Sequence, residues 1–117
     1  MALISSCDKC EDEIVCTQEF RSITIRLDNG TQMPVTLDEV YTLRQGSTQK
    51  IIFTQPFTNG QYIVLDDSYH SSLKNQEADF RFIGVKSNQV VVDQTFKIRG
   101  DDCHVYKVSG PDNVLVP

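Results

Sequence analysis

Four cysteines, two histidines and two aspartate pairs hold most of the chemical capacity of this 117-residue chain. Cys7, Cys10 and Cys16 crowd one end, and Cys103 lies near the other. The stretch Cys7-Asp8-Lys9-Cys10 has the C-x-x-C spacing of a redox pair or of half a zinc knuckle. A thioredoxin-type motif, however, follows a strand and opens a helix within an α/β pattern, which this sequence lacks. The other thiol and imidazole ligands, Cys16, Cys103 and His104, complete no recognisable zinc knuckle. A disulfide fits better: Cys16 immediately precedes the first strand pattern and Cys103 begins the last. In a sandwich whose terminal strands are neighbours the two could bridge, and closing so long a loop stabilises by up to about 4 to 5 kcal/mol. Cys7 and Cys10 then either pair with each other or, if Cys7 is modified, leave Cys10 over.

That modification is suggested by Ile4-Ser5-Ser6-Cys7, which matches the bacterial lipobox of an aliphatic and two small residues before a lipidated cysteine. Only six residues precede Cys7, without a basic segment or a full apolar one. Either the leader is cut short here or the match is chance. The oxidising compartment that a disulfide needs agrees with export.

The remaining polar candidates form no complete constellation. A hydrolytic site needs a nucleophile, a base and a group that orients the base. His70, in Ser68-Tyr69-His70-Ser71-Ser72, has no G-x-S-x-G elbow beside it and reads as an exposed loop histidine. His104 follows Cys103, but adjacent strand residues point to opposite faces, and a disulfide-bonded sulfur is no nucleophile. Asp66-Asp67 and Asp101-Asp102 sit at strand ends, where calcium often binds; two adjacent carboxylates supply too few of the six to eight oxygens it takes. Aspartates at turns more commonly hold local backbone, although the two pairs gain interest if folding brings them together. Among Tyr41, Tyr62, Tyr69 and Tyr106, Tyr69 occupies the longest polar loop with His70, and these two are the candidates for ligand contact. No catalytic residue, metal site or cofactor is assigned.

The net charge of −5, with eleven scattered lysines and arginines, excludes the basic face that nucleic acid or anionic lipid requires. An apolar fraction of 39% and a charged fraction of 23% are those of a globular chain. No run reaches the roughly 18 to 20 apolar residues of a membrane helix, so a membrane is expected only through a lipid anchor.

The elements that must position these side chains are strands. Residues 1–15 are polar and acidic and read as a flexible leader or tether; residues 16–117 read as one domain. Ile23, Ile25 and Leu27 alternate with Thr24 and Arg26, and Asp28-Asn29-Gly30 signals a tight turn. Met33, Val35 and Leu37 alternate again around Pro34. Val40–Leu43 suits a strand or one helical turn, and Lys50–Thr54 is a short strand-like run. After Asn59-Gly60, Tyr62–Leu65 reads as a strand, and Asp66–Glu77 as a long connection or short helix. Phe80–Lys86, Val90–Arg99 and Cys103–Val108 follow as strands, with a turn at Ser87-Asn88-Gln89 and an edge at Val114–Val116. About seven or eight strands with frequent turn signals predict an antiparallel β-sandwich.

The turn-strand text Asp28-Asn29-Gly30-Thr31-Gln32-Met33-Pro34-Val35, with the later Asn59-Gly60-Gln61-Tyr62-Ile63-Val64, resembles carboxypeptidase regulatory-like domains, which have the transthyretin-type (prealbumin-like) sandwich. The stretch from Asp102 to Pro111 is similar to the ending of small exported lipoproteins of Bacteroidetes-type bacteria with that fold. The resemblance spans most of residues 17–111 and implies an envelope location and a non-catalytic module that binds protein or glycan. The hydroxyisourate hydrolases on this fold carry a terminal Tyr-Arg-Gly-Ser signature; here the text is Asn113-Val114-Leu115-Val116-Pro117, so that activity is not expected. Two other readings stay open: a small hydrolase or metal-dependent enzyme using His70, His104 and the aspartate pairs, and a structural subunit that assembles through an edge strand.

Overall fold

In the computed structural model, which describes residues 16, 19–30, 35–53 and 60–116, alternating sequence becomes two packed sheets. The strands are β1 (Ser22–Asp28), β2 (Glu39–Arg44), β3 (Gln61–Asp66), β4 (Glu77–Lys86), β5 (Gln89–Gly100), β6 (Val105–Ser109) and β7 (Asn113–Leu115). One sheet has the order β3-β1-β7 and the other β2-β4-β5-β6. The described residues form an all-β sandwich of seven strands. Its core is Ile23, Ile25 and Leu27 from the smaller sheet against Phe80, Phe82, Phe96 and Ile98 from the larger, the period-2 faces that the sequence displays.

The hairpin β4–β5 forms the centre of the larger sheet. Ser87 (φ 53°) and Asn88 (φ 63°) link the paired residues Lys86 and Gln89. Two consecutive positive φ values are those of a type I′ turn, whose twist matches the flanking strands. β1 is different. Gly30 donates its N–H to Asp28 Oδ1 (3.0 Å), so the expected turn begins there, yet β1 pairs with β3 and β7 and not with a strand directly after that turn. Val35–Leu37 lies outside any strand. The terminal edge strand runs parallel to β1, with Leu27 opposite Val114, so the sandwich is not antiparallel throughout.

Two further expectations are corrected, and the short helix allowed between Asp66 and Glu77 is found. Of the described part of Lys50–Thr54, only Ile51 joins the sheet, through a single antiparallel bridge to Thr42. Cys103 lies two residues ahead of β6 rather than opening it. The connection after β3 contains a 3-10 helix, Asp67–Ser72, which carries the chain from the smaller sheet to the larger. Among the described residues no helix is long and apolar enough to cross a membrane.

Inside the sandwich a buried polar contact ties the two sheets. Leu65 pairs with Ile23 and Ile63 with Thr24, so Val64 is passed over at a bulge. Its carbonyl accepts the hydroxyl of fully buried Thr42, from the opposite sheet, at 2.6 Å.

Candidate functional site

The end of the sandwich where β3 stops and β4 starts gathers most of the polar candidates. Asp67 opens the 3-10 helix, and its side chain is 8% exposed. Its Oδ2 accepts from the Arg21 N–H (2.8 Å) and its Oδ1 from the Val105 N–H (2.8 Å). Nδ1 of His104 stands 2.6 Å from Oδ2. A carboxylate only accepts, so this imidazole nitrogen carries the proton. Burial alone would push the Asp67 carboxyl up; the hydrogen bonds from Arg21, His104 and Val105 outweigh it and hold the pKa below its ordinary value.

The second aspartate pair arrives at the same end by the turn after β5. Asp101 Oδ1 accepts the N–H groups of Cys103 (2.8 Å) and His104 (2.7 Å). These bonds lower its pKa. Asp102 Oδ1 accepts from Asn75 Nδ2 at 3.2 Å, and Asp66 Oδ1 accepts from the Ser68 N–H at 3.0 Å. Folding thus brings the two pairs to one end, but with their oxygens turned to N–H and O–H donors of the protein itself, near and far in sequence. No group of three or more possible metal ligands is found among the described residues. The hydroxyl of Ser68 donates to Asp66 and not to a histidine. The arrangement fastens three segments together.

Cys16 and Cys103 complete that fastening as a disulfide, with Cα atoms 5.3 Å apart across a sequence separation of 87. The bond indicates an oxidising compartment. Cys7 lies outside the described residues. His70 is half-buried rather than a free loop histidine. Its Nε2 donates to the Asp101 carbonyl at 2.7 Å.

A 3-10 helix repeats every three residues, so side chains at i and i+3 share a side. Asp67 and His70 therefore face the disulfide segment, while Tyr69 and Ser72 face the other way, into a groove of about 270 Å³. The opposite wall comes from the end of β2 and the segment that follows it: Arg44, Ser47, Gln49, Lys50 and Ile51. Phe80, 2% exposed, lies at the base. This wall turns back on itself at Arg44-Gln45-Gly46-Ser47, where the Ser47 N–H donates to the Arg44 carbonyl (2.9 Å) and Gly46 takes φ +86°. A residue with a Cβ at the third turn position would be strained. Thr42 and Ile51 then exchange both backbone hydrogen bonds (2.8 and 2.9 Å), fixing the returning strand of the loop.

The cations in this groove differ. Lys50 Nζ pairs with Glu39 at 2.8 Å and stands 4.5 Å above the Tyr41 ring. Arg44 shares the strand parity of inward-facing Thr42 but sits at the strand's end, where it lines the groove. It lies 5.9 Å from the centre of the Phe80 ring and pairs with no carboxylate among the described residues. Tyr69 meets the Phe53 ring edge-on, centroids 6.0 Å apart.

Of the sequence candidates, the structure joins Asp66, Asp67, Asp101, Asp102, Cys103, His70 and His104 at one end, and sets Tyr69 alone in the groove on the far side of the helix. The sequence reading did not single out Arg44, Ser47 or Gln49. The Gln45-Gly46 turn after a strand ending in arginine was the available signal. Comparisons with protein-family models, curated proteins and solved structures find no match to this chain.

Proposed function

We propose that this chain is a non-catalytic, exported β-sandwich module of the carboxypeptidase regulatory-like kind, tethered to a bacterial envelope through Cys7, which binds a carbohydrate or protein at the end that carries the disulfide. The observation that carries the proposal is the groove between the 3-10 helix and the Arg44–Ile51 segment. Its helical wall is held from behind by Asp67, His70 and the covalent link to Cys16, so Tyr69 is presented on a rigid support. The aspartates and histidines that would serve a hydrolase are engaged in that support, which favours binding over turnover. The disulfide supports export, and the lipobox-like Ile4-Ser5-Ser6-Cys7 supports the anchor.

Binding of the disulfide-intact protein to panels of envelope polysaccharides and peptides, with Tyr69→Ala alongside, tests the reading. Retention of a ligand that the variant loses supports it. Turnover of the ligand, or binding indifferent to Tyr69, overturns it. Intact mass of the protein from its native cells tests the anchor: a diacyl or triacyl increment on Cys7 is expected, and an unmodified Cys7 thiol rejects it.

A further inference from the structure

We infer that the groove selects an acidic sugar residue, a hexuronate or similarly carboxylated ring, and that Arg44 is the residue that reads its carboxylate. This inference rests on the binding reading above and narrows the ligand class.

The argument begins with charge. The chain carries a net charge of −5, so a guanidinium lining a groove without a carboxylate partner among the described residues departs from the general balance. Its neighbour Lys50 shows the contrast: the same wall places a second cation there, and Glu39 neutralises it at 2.8 Å. Arg44 instead leans over an aromatic ring at 5.9 Å, a contact that leaves the planar fork of donors able to accept a carboxylate in bidentate fashion.

The rest of the lining specifies what the carboxylate is attached to. The Ser72 hydroxyl donates to the Tyr69 carbonyl (2.9 Å) and keeps acceptor capacity, the Ser47 hydroxyl accepts from the Gln49 N–H (3.1 Å) and keeps its proton to donate, and the Gln49 amide can do both, so together they match sugar hydroxyls. The Tyr69 ring supplies an apolar surface with a polar tip, the usual partner for the C–H face of a pyranose. The Tyr69 side chain is held by its contact with Phe53 and by the short helix, so little conformational freedom is lost on binding. Size separates a sugar from a peptide. At about 270 Å³ the groove falls just below the range of ligand sites, which run from ~300 to 1,000 Å³. It holds one ring and not the several side chains that anchor an extended peptide.

The test is titration of the disulfide-intact protein, by calorimetry and by NMR shift mapping, with oligomers of galacturonate and glucuronate. Neutral oligomers of the same linkage and an acidic peptide serve as comparators. Uronate binding that perturbs Arg44, Ser47, Tyr69 and Ser72, with neutral oligomers at least ten-fold weaker, is the expected result. Arg44→Gln, confirmed folded by its unaltered spectrum outside the groove, should weaken uronate binding roughly 10- to 100-fold, the effect of losing a charged hydrogen-bonded pair. Equal binding of neutral and acidic sugars, or indifference to Arg44→Gln, overturns the inference while leaving a glycan-binding module in place. Selective binding of the acidic peptide also overturns it, in favour of a protein partner. Binding of none of the three probes overturns it as well. The broader panel screen then decides the binding reading separately.

Discussion

Asp67 joins the residue before β1, the start of β6 and His104 through one carboxylate, and this makes it the most consequential polar side chain at the disulfide end. Replacing it with asparagine removes an acceptor and faces an amide N–H₂ toward a backbone donor, so a loss of about 1 to 3 kcal/mol is expected in urea unfolding at neutral pH. The pH dependence follows from direction. The Asp67 and Asp101 carboxyls both titrate below their ordinary value in the fold. The folded state therefore binds protons less readily than the unfolded chain. Their contribution is complete above the unfolded carboxyl range near ~4 and is lost as pH falls through the lowered folded values. Stability of the parent should fall through that acid window, and the gap between parent and Asp67→Asn should narrow there. A gap that stays constant would show that Asp67 is not ionised in the fold. From sequence, Asp66-Asp67 and Asp101-Asp102 were recognisable only as two pairs at strand ends. Their junction depends on how the 3-10 helix after β3 meets the turn between β5 and β6, strands of the opposite sheet, which no local spacing records.

Elements with a clean alternation were legible because one buried face imposes it: Ile23-Ile25-Leu27 and Phe80-Phe82 were assigned to strands on that ground. What alternation cannot supply is the partner. The parallel pairing of β7 with β1, the single bridge at Ile51 and the bulge at Val64 are all properties of a neighbouring strand. The bulge has a measurable consequence. Thr42→Val keeps the shape but leaves the Val64 carbonyl without its hydroxyl partner in a fully buried site. A cost of about 1 to 3 kcal/mol is expected, with Thr42→Ser recovering part of it, as read by the denaturation midpoint. The 3-10 helix is placed by a close backbone approach. A Cβ on Gly100 would stand 2.5 Å from the Leu73 carbonyl oxygen, beside the bridge between Lys74 and Gly100. Gly100→Ala must therefore push the end of the helix off β5, at about 1 to 3 kcal/mol as for other overpacked sites. Amide exchange should speed up at Asn75 and Gly100, whose N–H groups bond across this junction. Unchanged exchange there would mean that the helix is held by Asp67 and His70 alone.

Across the whole molecule, the covalent link is the bond between Cys16, ahead of β1, and Cys103, ahead of β6. It closes a loop with a sequence separation of 87, for which the chain-entropy relation gives about 4 to 5 kcal/mol of stabilisation through the unfolded state. Domains of this size are stable by only about 5 to 15 kcal/mol in total, so the bond decides whether the sandwich has a comfortable margin or a narrow one. Sequence placed Cys16 before the first strand and Cys103 at the last, which was enough to suggest the pair. It could not show that the two ends also meet through Arg21 and Asp67, whose backbone and side chain exchange bonds of 3.0 and 2.8 Å. These local bonds survive reduction, and they separate two effects of breaking the disulfide. Cys16→Ser/Cys103→Ser should unfold at a markedly lower urea concentration than the oxidised parent, with a similar dependence on denaturant if the folded core is retained. The reduced parent should match the double variant. Because the hydrogen bonds keep the 3-10 helix in place in the surviving folded fraction, the groove should still bind its ligand at low temperature. Ligand affinity lost together with the disulfide, in protein that is still folded, would show that the covalent bond shapes the groove itself and does not act through stability alone.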